Sequence, residues 1–245
     1  MLFLVNLDSA IERRELMSSQ LEELDVEFRR VGIDMRLRSE DEIVAWVDAH
    51  FAGVAFDLES LSGAEAGCWL SHLSAWRHLL DQDREQACVV IEDDLILAAD
   101  FADVVASLQS QSAFDVVYLG TSSRNVSTRR RTQIGPLWAH EPVGAVYNTW
   151  GYSVTRQYVR RFFDRAPMRL DVPIDHFLGG NSAPGAPRIS VLQPAVVREH
   201  PTLGAASQIG PHTRRLDRWR MVEQARRRLL SSRVSSLYYS LYRLL

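Results

Sequence analysis

The chain has 245 residues, 46% of them hydrophobic and 24% charged, with a formal net charge of −3. That composition fits one large soluble domain, or one domain with an appendage, and the length supports a sizeable core. No run approaches the length of a membrane span, the apolar start Met1–Val5 is too short for a secretory signal, and two cysteines in apolar contexts, Cys68 and Cys88, read as buried reduced thiols rather than a disulfide or metal framework.

Leu2–Leu7 reads as a short buried strand. Ser9-Ala10-Ile11-Glu12 reads as a capping box that opens a helix, with Ala10, Met17, Leu21 and Leu24 along one stripe. Val26–Ile33 returns to strand character, and strand–helix–strand at this length outlines a nucleotide-binding half-unit. No Gly-rich phosphate loop follows the first strand, which disfavours a dinucleotide fold or a P-loop. Ser39-Glu40-Asp41-Glu42 is placed to cap a helix through Ala49. Ser62-Gly63-Ala64-Glu65 is a second capping box, and its helix runs to about Asp81 with Trp69, Leu70, Leu73, Trp76 and Leu80 on the core side. His72 lies between Trp69 and Trp76, where a lone histidine is more often a core residue with a satisfied hydrogen bond than a ligand.

Next comes Cys88-Val89-Val90-Ile91-Glu92-Asp93-Asp94-Leu95, a β-branched apolar run that stops at three acids. Such a run reads as a strand buried on both faces, and open α/β sheets bind ligands at the carboxyl ends of their strands. In an extended chain Glu92 and Asp94 share one side and Asp93 takes the other, so one face carries two carboxylates able to hold a hard divalent cation. A solvated strand end is the plainer reading of the same residues.

Asp100–Leu108 reads as a helix and Phe114–Leu119 as a buried strand ending at Gly120. Ser122–Arg131 reads as a polar surface loop, with Arg129–Arg131 solvated or, as the sharper idea, facing an anionic acceptor. Gly144–Val154 resumes strand character, Thr155–Asp164 reads as a helix, and Pro167 and Pro173 bracket a turn region leading to Asp175-His176. Gly179–Pro187 is loop, Ile189–Leu192 a late strand, and a strand-like Ala195–Val197 precedes His200.

Several of these pieces together resemble glycosyltransferase family 25. The helix Gly63-Ala64-Glu65-Ala66-Gly67-Cys68-Trp69-Leu70-Ser71-His72-Leu73-Ser74-Ala75-Trp76, a short gap, and a strand ending in Glu92-Asp93-Asp94 carry the resemblance. Val5-Asn6-Leu7-Asp8 with Arg13-Arg14, Tyr118-Leu119-Gly120, Gly151-Tyr152-Ser153-Val154 and Pro173-Ile174-Asp175 fall in the family's order, over roughly residues 1–210. The resemblance implies an α/β fold of the GT-A kind, a nucleotide-binding sandwich with a mostly parallel central sheet. It implies transfer of a hexose, with galactose from UDP-galactose expected, to a saccharide of lipooligosaccharide or another surface glycan, with inversion.

Under that resemblance Asn6, Leu7 and Asp8 border the donor nucleotide and Arg13 lies near its phosphates. Glu92-Asp93-Asp94 is similar to the DxD element, with Glu in the first position. Asp94 is then the expected ligand of a Mn²⁺ or Mg²⁺ ion, with Glu92 or Asp93 making ribose or water-mediated contacts and Glu92 also a candidate ligand. A late histidine often joins the metal in such enzymes, which makes His200 a further candidate. An inverting transfer also needs a base within hydrogen-bond reach of the acceptor hydroxyl. Asp175 is the first candidate, Glu65 the second and Asp171 a weaker third. Glu65 has two readings, completing its helix cap or facing the sugar site.

Residues 211–245 carry nine Arg against Asp217 and Glu223, a formal +7, which leaves about −10 on residues 1–210. Arginine with interleaved Trp219, Tyr238, Tyr239 and Tyr242 fits an anionic membrane surface, and an acidic body would repel nucleic acid. The expectation is a helical tail that holds a cytoplasmic enzyme peripherally on the inner membrane, near a glycolipid acceptor. A helix packed on the body is the competing reading of the tail. Two other functions compete with the transferase. One is a metal-dependent phosphoryl-transfer enzyme, which would need a second carboxylate cluster that the sequence does not show. The other is a non-catalytic nucleotide-sugar-binding protein.

Overall fold

The computed structural model describes residues 1–82, 84–121, 126–179 and 186–203. The boundary expected at residue 210 and the tail 211–245 lie outside the described residues. In chain order the elements are β1 (Leu2–Val5), α1 (Ile11–Glu23), β2 (Arg29–Val31), α2 (Glu40–His50), β3 (Val54–Phe56) and α3 (Gly63–Asp81). They continue with β4 (Ala87–Glu92), β5 (Leu95–Leu97), α4 (Phe101–Gln109), β6 (Val116–Tyr118), β7 (Val126–Ile134) and β8 (Leu137–Pro142). The last are β9 (Gly151–Thr155), α5 (Arg156–Phe163), β10 (Met168–Leu170), α6 (Ile174–Gly179), β11 (Ile189–Gln193) and β12 (Val197–Glu199).

Eight strands form one sheet in the order β2-β1-β4-β9-β6-β11-β8-β7, with β9 and β8 running against the others. The expected α/β sandwich with a mostly parallel central sheet is thus present. Its layers follow from strand periodicity. In β1, Phe3 faces one way while Leu2 and Leu4 face the other; in β4, Cys88 and Val90 oppose Val89 and Ile91. The first face is covered by α2, α3 and α5, the second by α1 and α4. Residues 87–91 are fully buried, as an apolar run covered on both sides must be.

The helix cap expected at Ser39 forms, closed into a box by Glu42, and of the two capping boxes that the sequence pattern predicts the second forms, Ser62 with Glu65. The first does not. The helix starts one residue later, with Ala10, which has no polar side chain, as the N-cap of α1, and the Ser9 hydroxyl accepts a hydrogen bond from Arg36 at 3.0 Å. Of Val26–Ile33 only Arg29–Val31 becomes strand, and of Gly144–Val154 only the end does. The expected loop Ser122–Arg131 is corrected in its second half. Val126–Ile134 is the edge strand of the sheet, paired with β8, and exposed arginines are what an edge strand tolerates. The turn region between Pro167 and Pro173 holds a short strand, β10, parallel to β3.

Three contacts carry the fold towards the carboxyl end of β4. Gln20 on α1 pairs with the backbone of β5, donating to the Leu95 carbonyl at 3.0 Å and accepting from the Leu97 amide at 2.9 Å. Gly67 brings α3 against the chain after β2, where an added Cβ would lie 2.6 Å from the Ile33 carbonyl oxygen. Trp69 donates its indole N–H to the Val172 carbonyl at 2.8 Å and packs edge-on against Phe177, which ties α6 to α3.

His72 is a core residue, as its position on α3 predicts. It is fully buried, with Nδ1 sharing a 2.8 Å hydrogen bond with the Tyr152 hydroxyl, which also accepts from Trp76 at 3.0 Å. Burial holds its pKa down to about 3. The unfolded chain, with an ordinary histidine near 6.5, therefore binds the proton first, and stability falls as pH drops from about 6.5 towards 3. By pH 4.5 the loss from this group should be roughly 2–3 kcal/mol. Urea unfolding of the protein and of His72→Asn at pH 7 and pH 4.5 measures it. The variant is expected to lose less stability over that interval, and equal losses would assign the acid sensitivity to other groups.

Candidate active site

Beyond the carboxyl end of β4 lies an open cleft of about 350 Å³, within the size range of small-molecule sites. Its floor is Glu92, Asp93 and Asp94. One wall comes from α3 with Glu65, Cys68 and Ser71, another from Asn148, Thr149 and Trp150, a third from Ile174, Asp175 and His176. Asn6, Leu7 and Arg13 close the side next to β1, and Asp34 and Arg36 stand at the end of β2.

The three acids do not alternate as an extended chain would, because β4 ends at Glu92 and the backbone bends at Asp93 and Asp94. Asp93 and Asp94 both turn to Arg13, whose Nη1 donates to Asp93 Oδ1 at 3.0 Å and to Asp94 Oδ2 at 3.1 Å. Asn6 Nδ2 donates to the other Asp93 oxygen at 2.7 Å. Glu92 goes elsewhere and accepts a hydrogen bond from the Thr149 hydroxyl. Its pKa is pushed up to about 8, first by burial and then by the charge on Asp94, with Asp175 and Asp93 adding and the Thr149 bond opposing. Burial also raises Asp94; Arg13 pulls against that, while Asp93 and Glu199 push with it. Burial, then the charges of Glu92, Asp175 and Glu65, hold the Cys68 thiol well above its usual pKa, so it stays protonated.

The two base candidates differ in what already holds them. Glu65 Oε2 accepts from both the amide and the hydroxyl of Ser62, each at 2.7 Å, so it completes its cap and lines the cleft at once. Asp175 sits in the first turn of α6 with Oδ1 accepting from the His176 amide at 2.8 Å and its side chain 27% exposed. Asp171 is exposed and lies off the cleft lining.

Residues 1–178 match the family described as Glycosyltransferase family 25 (LPS biosynthesis protein). The chain belongs to glycosyltransferase family 25. Among curated relatives, procollagen galactosyltransferase 2 of Mus musculus is 26% identical over 192 residues, which cover 72% of this chain and 29% of that protein. Procollagen galactosyltransferase 1 of Danio rerio is 26% identical over 186 residues, 72% of this chain and 30% of that one. Inactive glycosyltransferase 25 family member 3 of Homo sapiens is 24% identical over 193 residues, again 72% and 30%. The chain thus spans less than a third of the length of these relatives. A solved structure of mannose-1-phosphate geranyltransferase from Thermus thermophilus matches at a TM-score of 0.36 and 13% identity, over 78% of this chain and 72% of that one.

For this family 25 chain, the cleft gathers most of the residues that the sequence marks. Asn6, Leu7, Arg13, Glu65, Glu92, Asp93, Asp94 and Asp175 all line it. Asp8 does not: its side chain is 86% exposed and bound to Arg30. His200 is also off the lining. Its amide donates to the Asp94 carbonyl at 2.7 Å, while its Nδ1 accepts from the Thr202 and Leu203 amides at 3.4 Å each. Thr149, Asn148 and Arg36 are lining residues that no motif announced; the positive φ of Asn148 (75°) is visible only in three dimensions.

Among the described residues no three or more His, Cys, Asp or Glu side chains form a ready metal cage. A cage is not what Mg²⁺ or Mn²⁺ would require at a phosphate-bearing substrate; one or two carboxylates would suffice. Asp94 Oδ1 meets that need, being buried without a hydrogen-bond partner among the described residues beside the crowded Glu92 and Asp93. The donor set fits such an ion.

Proposed function

We propose that this protein transfers galactose from UDP-galactose to a saccharide acceptor of lipooligosaccharide or another surface glycan, inverting the anomeric centre with a bound Mn²⁺ or Mg²⁺. The observation that carries the reading is the acidic floor Glu92-Asp93-Asp94, with Asp93 buried and its two neighbours half-buried, opening into a cleft that also holds Asn6, Arg13 and Asp175, in a family 25 chain. The galactose assignment draws on the names of the two procollagen galactosyltransferases.

In this reading Asn6 and Leu7 border the nucleotide, and Asp93 is held rigid for a ribose or water-mediated contact. Asp94 would hold the cation through Oδ1, with Glu92 as the neighbouring oxygen donor. An ion held there would offset the negative charge that grows on the departing diphosphate. Asp175 takes the proton from the acceptor hydroxyl as that oxygen attacks the sugar carbon. Peripheral attachment through residues 211–245 remains part of the proposal on their composition. Among the described residues no helix is long and apolar enough to cross a membrane.

The test is release of UDP from a panel of UDP-sugars by purified protein, with and without Mn²⁺. UDP-galactose is expected to be turned over in the presence of Mn²⁺ and to raise the melting temperature most. Metal-dependent cleavage of phosphodiesters instead would establish a phosphoryl-transfer enzyme. Binding without release would place the chain with non-catalytic members, a real alternative given the inactive human relative.

A further inference from the structure

Arg13 occupies an unusual place for an arginine. On α1 it is in line with Met17 and Leu21, so the buried stripe of an amphipathic helix ends in a guanidinium. Its side chain is 10% exposed, against 10% for Asp93 and 16% for Asp94. The fork reaches Asp93 Oδ1, Asp94 Oδ2 and, from Nη2, the Leu203 carbonyl at 2.7 Å. Asp93 would keep its Asn6 hydrogen bond at 2.7 Å if Arg13 moved. Asp94 has Arg13 on one oxygen and nothing among the described residues on the other. A guanidinium and a dication repel strongly in a site this buried, so they cannot share one carboxylate at full strength.

We propose that Arg13 is a displaceable counter-ion of the acidic floor: it neutralises Asp93 and Asp94 until a divalent cation binds Asp94, and then gives up Asp94 while keeping Asp93 and the Leu203 carbonyl. The inference rests on the metal-dependent reading above, and it adds a competitor for the cation within the chain itself. Metal affinity is thereby held down, and the turn Pro201–Leu203 is linked through Arg13 to the state of the floor.

The experiment titrates Mn²⁺ alone, by calorimetry and by melting temperature, into the full chain and into Arg13→Met, Arg13→Lys and Arg14→Met. Arg13→Met is expected to bind Mn²⁺ roughly ten-fold tighter or more. It should melt lower than the parent without metal and gain more on saturation. Arg13→Lys keeps the charge but loses the planar fork that spans both carboxylates, so its affinity should rise by a few-fold. It carries the test if the methionine variant does not fold. Arg14→Met removes the same charge one residue along the helix and should leave the affinity unchanged. If the parent binds Mn²⁺ and neither Arg13 variant binds it tighter, Arg13 is a fixed structural partner and the proposal is overturned, with the metal reading intact. Equal tightening by Arg14→Met would reduce the effect to overall charge and also overturn it. If neither the parent nor the Arg13 variants bind Mn²⁺, both the counter-ion and the metal assignment fall.

Discussion

Replacing Asp94 with Asn is expected to lower kcat by about a hundred-fold to ten-thousand-fold while the fold survives. The size follows from what the proposed cation would contribute to a leaving diphosphate, several kcal/mol of transition-state stabilisation, with each 1.36 kcal/mol worth a factor of ten. Survival of the fold follows from the contacts. The Asp94 main chain keeps its hydrogen bond from His200, and Arg13 keeps Asp93 and the Leu203 carbonyl. The substitution also removes one negative charge from beside Glu92, Asp93 and Glu199. The variant should therefore melt no lower than the parent in the absence of metal. A calorimetric scan without metal, paired with UDP release at saturating Mn²⁺, measures both halves. Near-normal turnover would show that Asp94 is not a ligand, and a large fall in melting temperature would show that its pairing with Arg13 is structural.

The parts of this molecule legible in sequence are those where a local rule and the tertiary environment agree. The helix α3 announces itself twice, by the Ser62–Glu65 box and by tryptophans at core spacing, and both signals hold: the box forms, and Trp69 and Trp76 are fully buried. The run 87–91 reads as a doubly covered strand because burial on both faces leaves no room for alternation. Ser9 shows the opposite case. Its local pattern is also a capping box, yet α1 starts one residue later, with Ala10 as N-cap, and the Ser9 hydroxyl accepts from Arg36, far along the chain. Asp93 and Asp94 show a limit of periodicity, since strand alternation predicts side-chain direction only while the strand lasts, and β4 ends one residue earlier. The edge strand β7 is hidden by its arginines, which an uncovered edge accepts but a propensity reading assigns to loop. Thr149 and Asn148 could not be found at all from spacing. Their place depends on the loop before β9 being pinned where the Trp150 carbonyl accepts from the Glu92 amide at 2.9 Å. Sequence thus identifies the floor of the cleft and the walls from α3 and α6, whereas the wall of Asn148, Thr149 and Trp150 depends on contacts between distant segments.

Asp175→Asn is expected to lower kcat by about a hundred-fold to ten-thousand-fold, the usual worth of a positioned general base, with little change in the Michaelis constant for the donor. The geometry favours Asp175 over Glu65 because the two carboxylates carry different burdens. Glu65 spends one oxygen on two hydrogen bonds from Ser62 and is buried, so taking a proton there would weaken the start of α3. Asp175 is more open, and its helix is anchored to α3 through Trp69, the Val172 carbonyl and Phe177 rather than through the carboxylate itself. Glu65→Gln preserves an acceptor for the Ser62 amide, and glutamine serves at that position of a capping box. That variant should fold and keep turnover within a few-fold of the parent. Steady-state kinetics of the two variants with UDP-galactose and a saccharide acceptor separates the assignments. A large kcat loss in Glu65→Gln with a small one in Asp175→Asn would transfer the base to Glu65. A change in Asp175→Asn confined to the acceptor or donor Michaelis constant would make Asp175 a positioning group, since a base acts in the chemical step and leaves binding of the ground state largely untouched.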